Sequence, residues 1–210
     1  ILGPDCIISE TSILKLTDSL SEDSSCFLVS PTSYDESMNK MTYSGGPFPE
    51  NLSRDIVLNL SGNTCVESTL GACMLVRTNE FKYIGLFDEN FFIYFSDDDL
   101  CRRIRKHKKS VIQIYDSKCI HIHGIVKIKN KYLKKFVREN NYTFDSLYYY
   151  YKIHPNHTEV KKILKKTSSL TIKFFIKILS LNFIEFVGIS ARLFAISRFI
   201  YRFKLKKSKF

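Results

Sequence analysis

Three consecutive aspartates, Asp97, Asp98 and Asp99, follow Ser96 at the start of the segment "DDDLCRRIRKHK". A carboxylate in such a segment can accept a proton from a hydroxyl group or bind a divalent cation. The same residues suit an ordinary helix N-terminus, where carboxylates meet free backbone N–H groups. Taken alone, the aspartates leave both interpretations open.

Two histidines, His121 and His123, alternate with isoleucines and therefore point to the same face of a predicted strand. A further acid, Asp5, lies in the opening segment "ILGPDC". A divalent metal needs oxygen or imidazole ligands from several elements, and ligand sites in open α/β sheets collect at the carboxyl ends of strands. The combination indicates a site more strongly than either group does alone.

The elements that must position these residues alternate between strands and short helices, which predicts an α/β layer fold. Helices are predicted over 9–20 with a cap near Ser9, over "DDDLCRRIRKHK" and over the aromatic segment 130–154. A further short helix is predicted to be capped by Thr78 and closed by Gly85. Strands are predicted over 26–31, 55–60, about 70–77, "SVIQIYD" and "KCIHIHG". Residues 32–55 are rich in Ser, Gly, Pro and Asn and predict a surface loop or lid.

The net charge of +11 is concentrated at the C-terminal end of the 210 residues. Residues 1–151 hold 18 basic and 19 acidic side chains, whereas residues 152–210 hold 14 basic side chains against Glu159 and Glu185. Charges interrupt every apolar run of 168–210 before a spanning length accumulates, and Lys/Arg mixed with Phe, Ile and Leu is typical of a helix lying in the headgroup plane. The alternative is a helical hairpin packed on the domain or on a second subunit. Nucleic-acid binding is disfavoured, because the basic residues are mixed with bulky aliphatic residues and no nucleic-acid-binding motif appears.

The six cysteines form no C-x-x-C pair and mostly lie in apolar runs, so buried thiols of a reducing cytosol are expected. We expect a first domain over 1–155 and a basic amphipathic helical tail over 156–210. The tail predicts peripheral attachment to an anionic membrane surface, on the cytoplasmic face of the cell membrane, with a homo-oligomer through the C-terminal helices as another use.

The segment "GACMLVRTNEFKYIGLFDENFFIYFSDDDLCRRIRKHKKSVIQIYDSKCIHIHG" resembles the acceptor half of family 2 glycosyltransferases, inverting enzymes of the GT-A fold, and is closest to their rhamnosyltransferase-like branch. Many residues fall in register with the pattern of that branch: Gly71, Ala72, Arg77, Phe81, Gly85, Phe87, Asp88, Glu89, Phe92, Tyr94, Asp97, Asp99, Leu100, Arg103 and His121. The resemblance covers roughly residues 1–155. It implies a partial GT-A, Rossmann-like mixed sheet with flanking helices, followed by the amphipathic helical region.

The resemblance implies a catalytic group of Asp97, Asp99 and Arg103. Asp97 would be the base that takes the proton of the acceptor hydroxyl, while Asp99 and Arg103 shape and orient the loop. Asp98 occupies a position that is usually apolar and is expected to face solvent.

The resemblance also implies binding residues. The Gly71–Ala72 turn, Asp88 and Glu89 would contact the acceptor, and Asp5 and His121 would hold Mg²⁺ or Mn²⁺ on the diphosphate. The donor would be a nucleotide sugar such as dTDP-rhamnose, and the acceptor a cell-surface polysaccharide or a lipid-linked saccharide.

Three departures from the family pattern qualify this interpretation. The acid that usually precedes the base is Ser96, the first position of the metal motif is Gly3, and the family's nucleotide-binding half is expected before Ile1. A non-catalytic remnant that docks on a membrane or a partner is therefore the alternative. A metal-dependent phosphoesterase using Asp97, Asp98 and Asp99 with the histidines is a weaker third hypothesis.

Overall fold

The computed structural model describes residues 1–39, 62–122, 128–154, 161–162, 165 and 167–203. Within these residues the fold is mixed α/β, as the alternation of elements predicts. The chain forms two compact units, one of Ile1–Asp88 with Ser96–Val126 and one of Glu89–Phe95 with Lys127–Phe210. The predicted lid, the strand over 55–60, His123 and the boundary at residue 155 lie wholly or mostly outside the described residues.

The first unit contains a mixed sheet of five strands, β1 (Cys6–Ile8), β2 (Cys26–Tyr34), β3 (Thr64–Cys65), β4 (Leu75–Val76) and β5 (Ser110–His121). β5 runs parallel to β2 and antiparallel to β1 and β3, and β4 pairs antiparallel with β2. The two runs predicted as separate strands thus form the single strand β5. Its register against β2 shifts between Ile114 and Lys118, where the two predicted strands adjoin.

Helices cover both faces of this sheet. Helix α1 (Glu10–Glu22) begins at the predicted cap, where the Ser9 side chain accepts a hydrogen bond from the Ser12 N–H. Its Leu16 and Leu20 pack with Val29 of β2. Leu28, the neighbouring residue on β2, packs instead with Leu100 and other residues of α3 (Ser96–Lys106). Because successive strand residues point to opposite faces, α1 and α3 lie on opposite sides of the sheet.

The predicted strand over 70–77 is shorter than expected, and the short helix after it includes Thr78, which was expected to be its cap. The strand comprises only β4, and helix α2 (Thr78–Tyr83) has Arg77 at its N-cap position without a side-chain cap bond. Gly85 follows this helix with φ +91°, a left-handed conformation that glycine adopts at low steric cost. Gly85 therefore ends α2 as predicted.

In its described residues, the second unit includes the helices α4 (Lys131–Ile153), α5 (Thr167–Leu179) and α6 (Phe183–Arg202), together with residues 89–95. α4 and α6 share a core that includes Phe144, Leu147, Ala195 and Phe199. α6 thus packs against another helix of this chain, which agrees with the packing that the hairpin alternative for the tail expected. No helix in the described part of the chain is long and apolar enough to cross a bilayer.

Candidate active site

Asp97 lies in the first turn of α3 and contacts the predicted acceptor turn. Its Oδ2 accepts a hydrogen bond from the Gly71 N–H at 2.9 Å, and its Oδ1 accepts one from the Asp98 N–H at 3.1 Å. A Cβ on residue 71 would lie 3.3 Å from that Oδ2, so glycine permits the close approach. Burial raises the pKa of Asp97, and these N–H groups oppose the rise. The predicted base and the predicted acceptor turn are therefore neighbours.

The expectation that Asp98 faces solvent is wrong. Successive helix residues differ by about 100°, and this rotation turns Asp98 into the interior, where it is 4% exposed. Its Oδ1 accepts a hydrogen bond from the Ser68 hydroxyl, and its Oδ2 has no hydrogen-bond partner among the described residues. Burial, followed by the charge of Asp97, raises the pKa of Asp98 to about 7. Two adjacent carboxyl groups with raised pKa values thus begin α3.

Asp99 and Arg103 form a clamp one helical turn apart. Arg103 Nε donates to Asp99 Oδ2 at 2.9 Å, and its two terminal nitrogens donate to the carbonyl oxygens of Ile84 and Leu86, each at 2.6 Å. Leu86 has φ +57°, so the clamp fixes a turn with a left-handed residue beside Gly85. This geometry gives the pair a positioning role on the loop that follows α2.

Asp5 and His121, the predicted metal ligands, lie side by side. β1 and β5 pair Cys6 with His121, and this register brings His121 Nε2 to 3.3 Å from Asp5 Oδ2. The Asp5 carbonyl also accepts a hydrogen bond from the Ile122 N–H at 2.7 Å. The described residues contain no group of three or more acidic, His or Cys side chains arranged to hold a metal ion. The chain thus brings two candidate ligands together.

The segment around Gly3 connects this pair to the Asp97 region. The Gly3 N–H donates to the Ala72 carbonyl at 2.7 Å, and a Cβ on residue 3 would lie only 2.8 Å from Asp5 Oδ1. Any larger residue at position 3 would displace the Asp5 carboxylate or the 71–72 turn. Glycine at the first position of the metal motif therefore leaves room for the carboxylate beside it.

The remaining predicted acceptor residues stand where the two units meet in the sequence. Asp88 is half-buried and is the last residue of its segment of the first unit. Glu89 is exposed and begins the segment that belongs to the second unit. Acceptor binding by Asp88 and Glu89 stays a prediction.

A cluster of three thiols flanks the predicted site residues and was not foreseen. The neighbouring Cys73 thiol, followed by Ser33 and Cys6, lowers the pKa of the Cys119 thiol to about 6, and Cys119 Sγ lies 3.4 Å from Ser33 Oγ. A signal was available, because each of these cysteines lies one or two positions from Asp5, Ala72 or His121. All six cysteines are free, and Cys65 departs from the expected burial because it is exposed.

Asp145 is the second feature that sequence reasoning missed. It is fully buried on α4, and its carboxylate accepts hydrogen bonds from the N–H groups of Phe92, Ile93 and Tyr94 at 3.0, 2.9 and 2.9 Å. It lies within the buried stripe of an aromatic-rich helix, and an acid there predicts a specific partner. Asp145 therefore fixes the backbone of the segment that precedes α3 in the sequence.

The site as a whole offers a proton acceptor, Asp97, beside a glycine turn and a carboxylate–imidazole pair suited to a cation. A scan of protein-family models matches no family, and a search of the curated proteins finds no match. The chemistry assigned to the site thus depends on the geometry and on the sequence resemblance.

Proposed function

We propose that this chain is the acceptor-activating half of a metal-dependent, inverting glycosyltransferase of family 2 with the GT-A arrangement. It would move a sugar from a nucleotide-diphosphate donor, such as dTDP-rhamnose, to a polysaccharide or lipid-linked acceptor. The observation that carries the proposal is the contact between Asp97 Oδ2 and the Gly71 N–H, because it joins the base and the acceptor turn of the family pattern.

Asp97 acts as the general base in this proposal. As the acceptor oxygen attacks the anomeric carbon, Asp97 takes the hydroxyl proton, and the bond from that carbon to the diphosphate oxygen breaks from the opposite side, so the configuration inverts. The N–H groups of Gly71 and Asp98 orient the carboxylate. Its raised pKa makes it a stronger proton acceptor than an exposed aspartate.

Asp5 and His121 would bind the cation. An adjacent carboxylate and imidazole suit Mn²⁺, which accepts both donor types, better than Mg²⁺, which prefers oxygen. The space left by Gly3 beside Asp5 Oδ1 fits this use. When bound, the cation would neutralise charge on the departing diphosphate.

Asp99 and Arg103 act on the reaction through the backbone. Their clamp holds the carbonyl oxygens of Ile84 and Leu86 against α3, and the chain from this turn leads to Asp88. We assign them as positioning residues rather than as groups that touch the acceptor.

The test is sugar-nucleotide turnover by the full gene product that contains this chain. Release of the nucleoside diphosphate is measured with a panel of nucleotide sugars, Mn²⁺ and a saccharide acceptor. Asp97→Asn should lower turnover by roughly 10²–10⁴-fold, the usual contribution of a general base, and should keep the circular dichroism spectrum. Asp18→Asn, which removes an exposed carboxylate on α1, is the matched control and should be silent.

Two outcomes would overturn the proposal. One is full turnover by the Asp97→Asn protein. The other is a folded wild type that transfers no sugar from any donor of the panel, which would favour the non-catalytic interaction module.

A further inference from the structure

The outer face of α5 is an apolar stripe exposed to solvent. Four side chains form it: Ile172, Phe175, Ile176 and Leu179. They are 52–83% exposed, and their spacing of three and four residues places them on one side of the helix. The other side carries Phe174, whose ring lies 4.8 Å from that of Phe186 on α6. α5 is thus apolar on two sides, and the described part of the chain covers one of them.

The buried side of α6 is not an exposed apolar surface, because it packs against α4. Arg192 Nε donates to Glu139 Oε2 at 2.8 Å, and a Cβ on Gly188 would lie 2.7 Å from Lys135 Cε, so the two helices approach closely. The exposed side of α6 also carries apolar side chains, among them Phe183, Phe194 and Tyr201. These three are spaced eleven and seven residues apart, whereas the apolar side chains of α5 form a continuous stripe.

The charged residues of α5 itself are all lysines. Between Glu159 and Glu185 the sequence has six lysines and no acidic residue. Lys173 and Lys177 lie on α5, about 100° and 140° around the helix from Ile172. A lysine in such a position can lay its stem along apolar side chains and keep its ammonium group among polar groups. The apolar stripe thus has lysines along one flank of the helix.

We propose that the outer face of α5 docks on an anionic lipid bilayer, with the helix in the plane of the headgroups. Helices of this kind bury an apolar face at the boundary between headgroups and acyl chains, and anionic lipid attracts the lysines beside it. A second copy of the chain fits less well, because a symmetric interface would place this acid-free, cationic surface against itself. The inference stands on the second unit alone and does not depend on sugar transfer.

The test is flotation of the full gene product with vesicles of phosphatidylcholine, alone or mixed with phosphatidylglycerol. The wild type should bind the mixed vesicles and lose affinity at high salt. Phe175→Glu with Leu179→Glu should weaken binding on the order of a hundredfold, because two large apolar side chains leave the bilayer. Lys173→Gln with Lys177→Gln, which keeps the apolar face, should weaken it roughly twentyfold.

The matched control is Ile13→Glu with Leu14→Glu, since these apolar side chains are also exposed, at 44% and 55%, but lie on α1. This pair should leave vesicle binding unchanged. The proposal is overturned if the wild type does not bind mixed vesicles, or if the control weakens binding as much as the α5 pair does. It is also overturned if light scattering shows a dimer that Phe175→Glu with Leu179→Glu converts to monomers, since a second copy would then be the occupant.

Discussion

Asp98 should make the folded protein less stable as the pH rises. Its pKa is raised from 3.8 to about 7 by burial and by the charge of Asp97. The folded state therefore holds a proton on this group between about pH 4 and pH 7 that the unfolded chain releases. Below about pH 4 this group does not affect the free energy of unfolding. Between about pH 4 and pH 7 the free energy of unfolding falls as the pH rises, and above about pH 7 the full loss is reached.

The size of this cost follows from the change in pKa. At about 1.4 kcal/mol for each tenfold change in proton affinity, the rise to about 7 corresponds to up to about 4 kcal/mol above pH 7. Asp98→Asn removes the ionisation while its amide oxygen can still accept the Ser68 hydroxyl. The variant should match the wild type near pH 4 and exceed it by up to about 4 kcal/mol near pH 8.

Urea unfolding followed by circular dichroism between pH 4 and pH 8.5 measures this difference. Asp97 has a pKa shifted in the same direction, and the variant removes the repulsion between the two carboxylates, so the difference measures Asp98 together with its coupling to Asp97. Asp18→Asn, an exposed carboxylate, should show the pH dependence of the wild type. Parallel stability curves for wild type and Asp98→Asn would refute the reasoning, because Asp98 would then ionise normally in the folded state.

Three further results are expected. Calorimetry with Mn²⁺ should give a measurable heat of binding for the wild type and a much smaller one for Asp5→Ala or His121→Ala. Equal heats for all three proteins would contradict the proposal that Asp5 and His121 bind the cation. Asp145→Asn should lower the free energy of unfolding by about 3 kcal/mol, because three backbone N–H groups lose a charged acceptor. The control Ser146→Ala should change it by no more than about 0.5 kcal/mol, and equal losses in the two variants would contradict the anchoring role of Asp145. Arg103→Lys should cost about 2 kcal/mol in the same urea experiment, since a lysine cannot reproduce three directed hydrogen bonds, and an unchanged midpoint would show that the clamp contributes little.

Local sequence signals were sufficient to predict where helices begin and end. Ser9 predicts the start of α1, Gly85 predicts the end of α2, and the acid-to-base order of "DDDLCRRIRK" predicts α3. The proximity of Asp5 and His121, and that of Asp97 and Gly71, came from the family resemblance. That proximity depends on strand register, which residue spacing does not determine.

The failures share one cause, which is that burial is decided by contacts distant in sequence. Asp98 was assigned to solvent from the family register, in which its position is usually apolar, but its environment is set by Ser68, thirty residues earlier. The runs "SVIQIYD" and "KCIHIHG" were predicted as two strands, yet β2 continues beside both, and they form the single strand β5 through a shift in register. Asp145 looked like an ordinary polar residue because its partners, the backbone N–H groups of residues 92–94, carry no sequence signature.

The insertion of residues 89–95 into the sequence of the first unit affects how the protein is made. The apolar run "FFIYF", residues 91–95, belongs to the second unit and is held by Asp145. Asp145 is synthesised fifty residues after Phe95, which at about 5–20 residues per second means roughly 3–10 s. During that interval the nascent chain presents an aromatic segment whose anchor does not yet exist, which makes this segment a natural site for chaperone capture during translation.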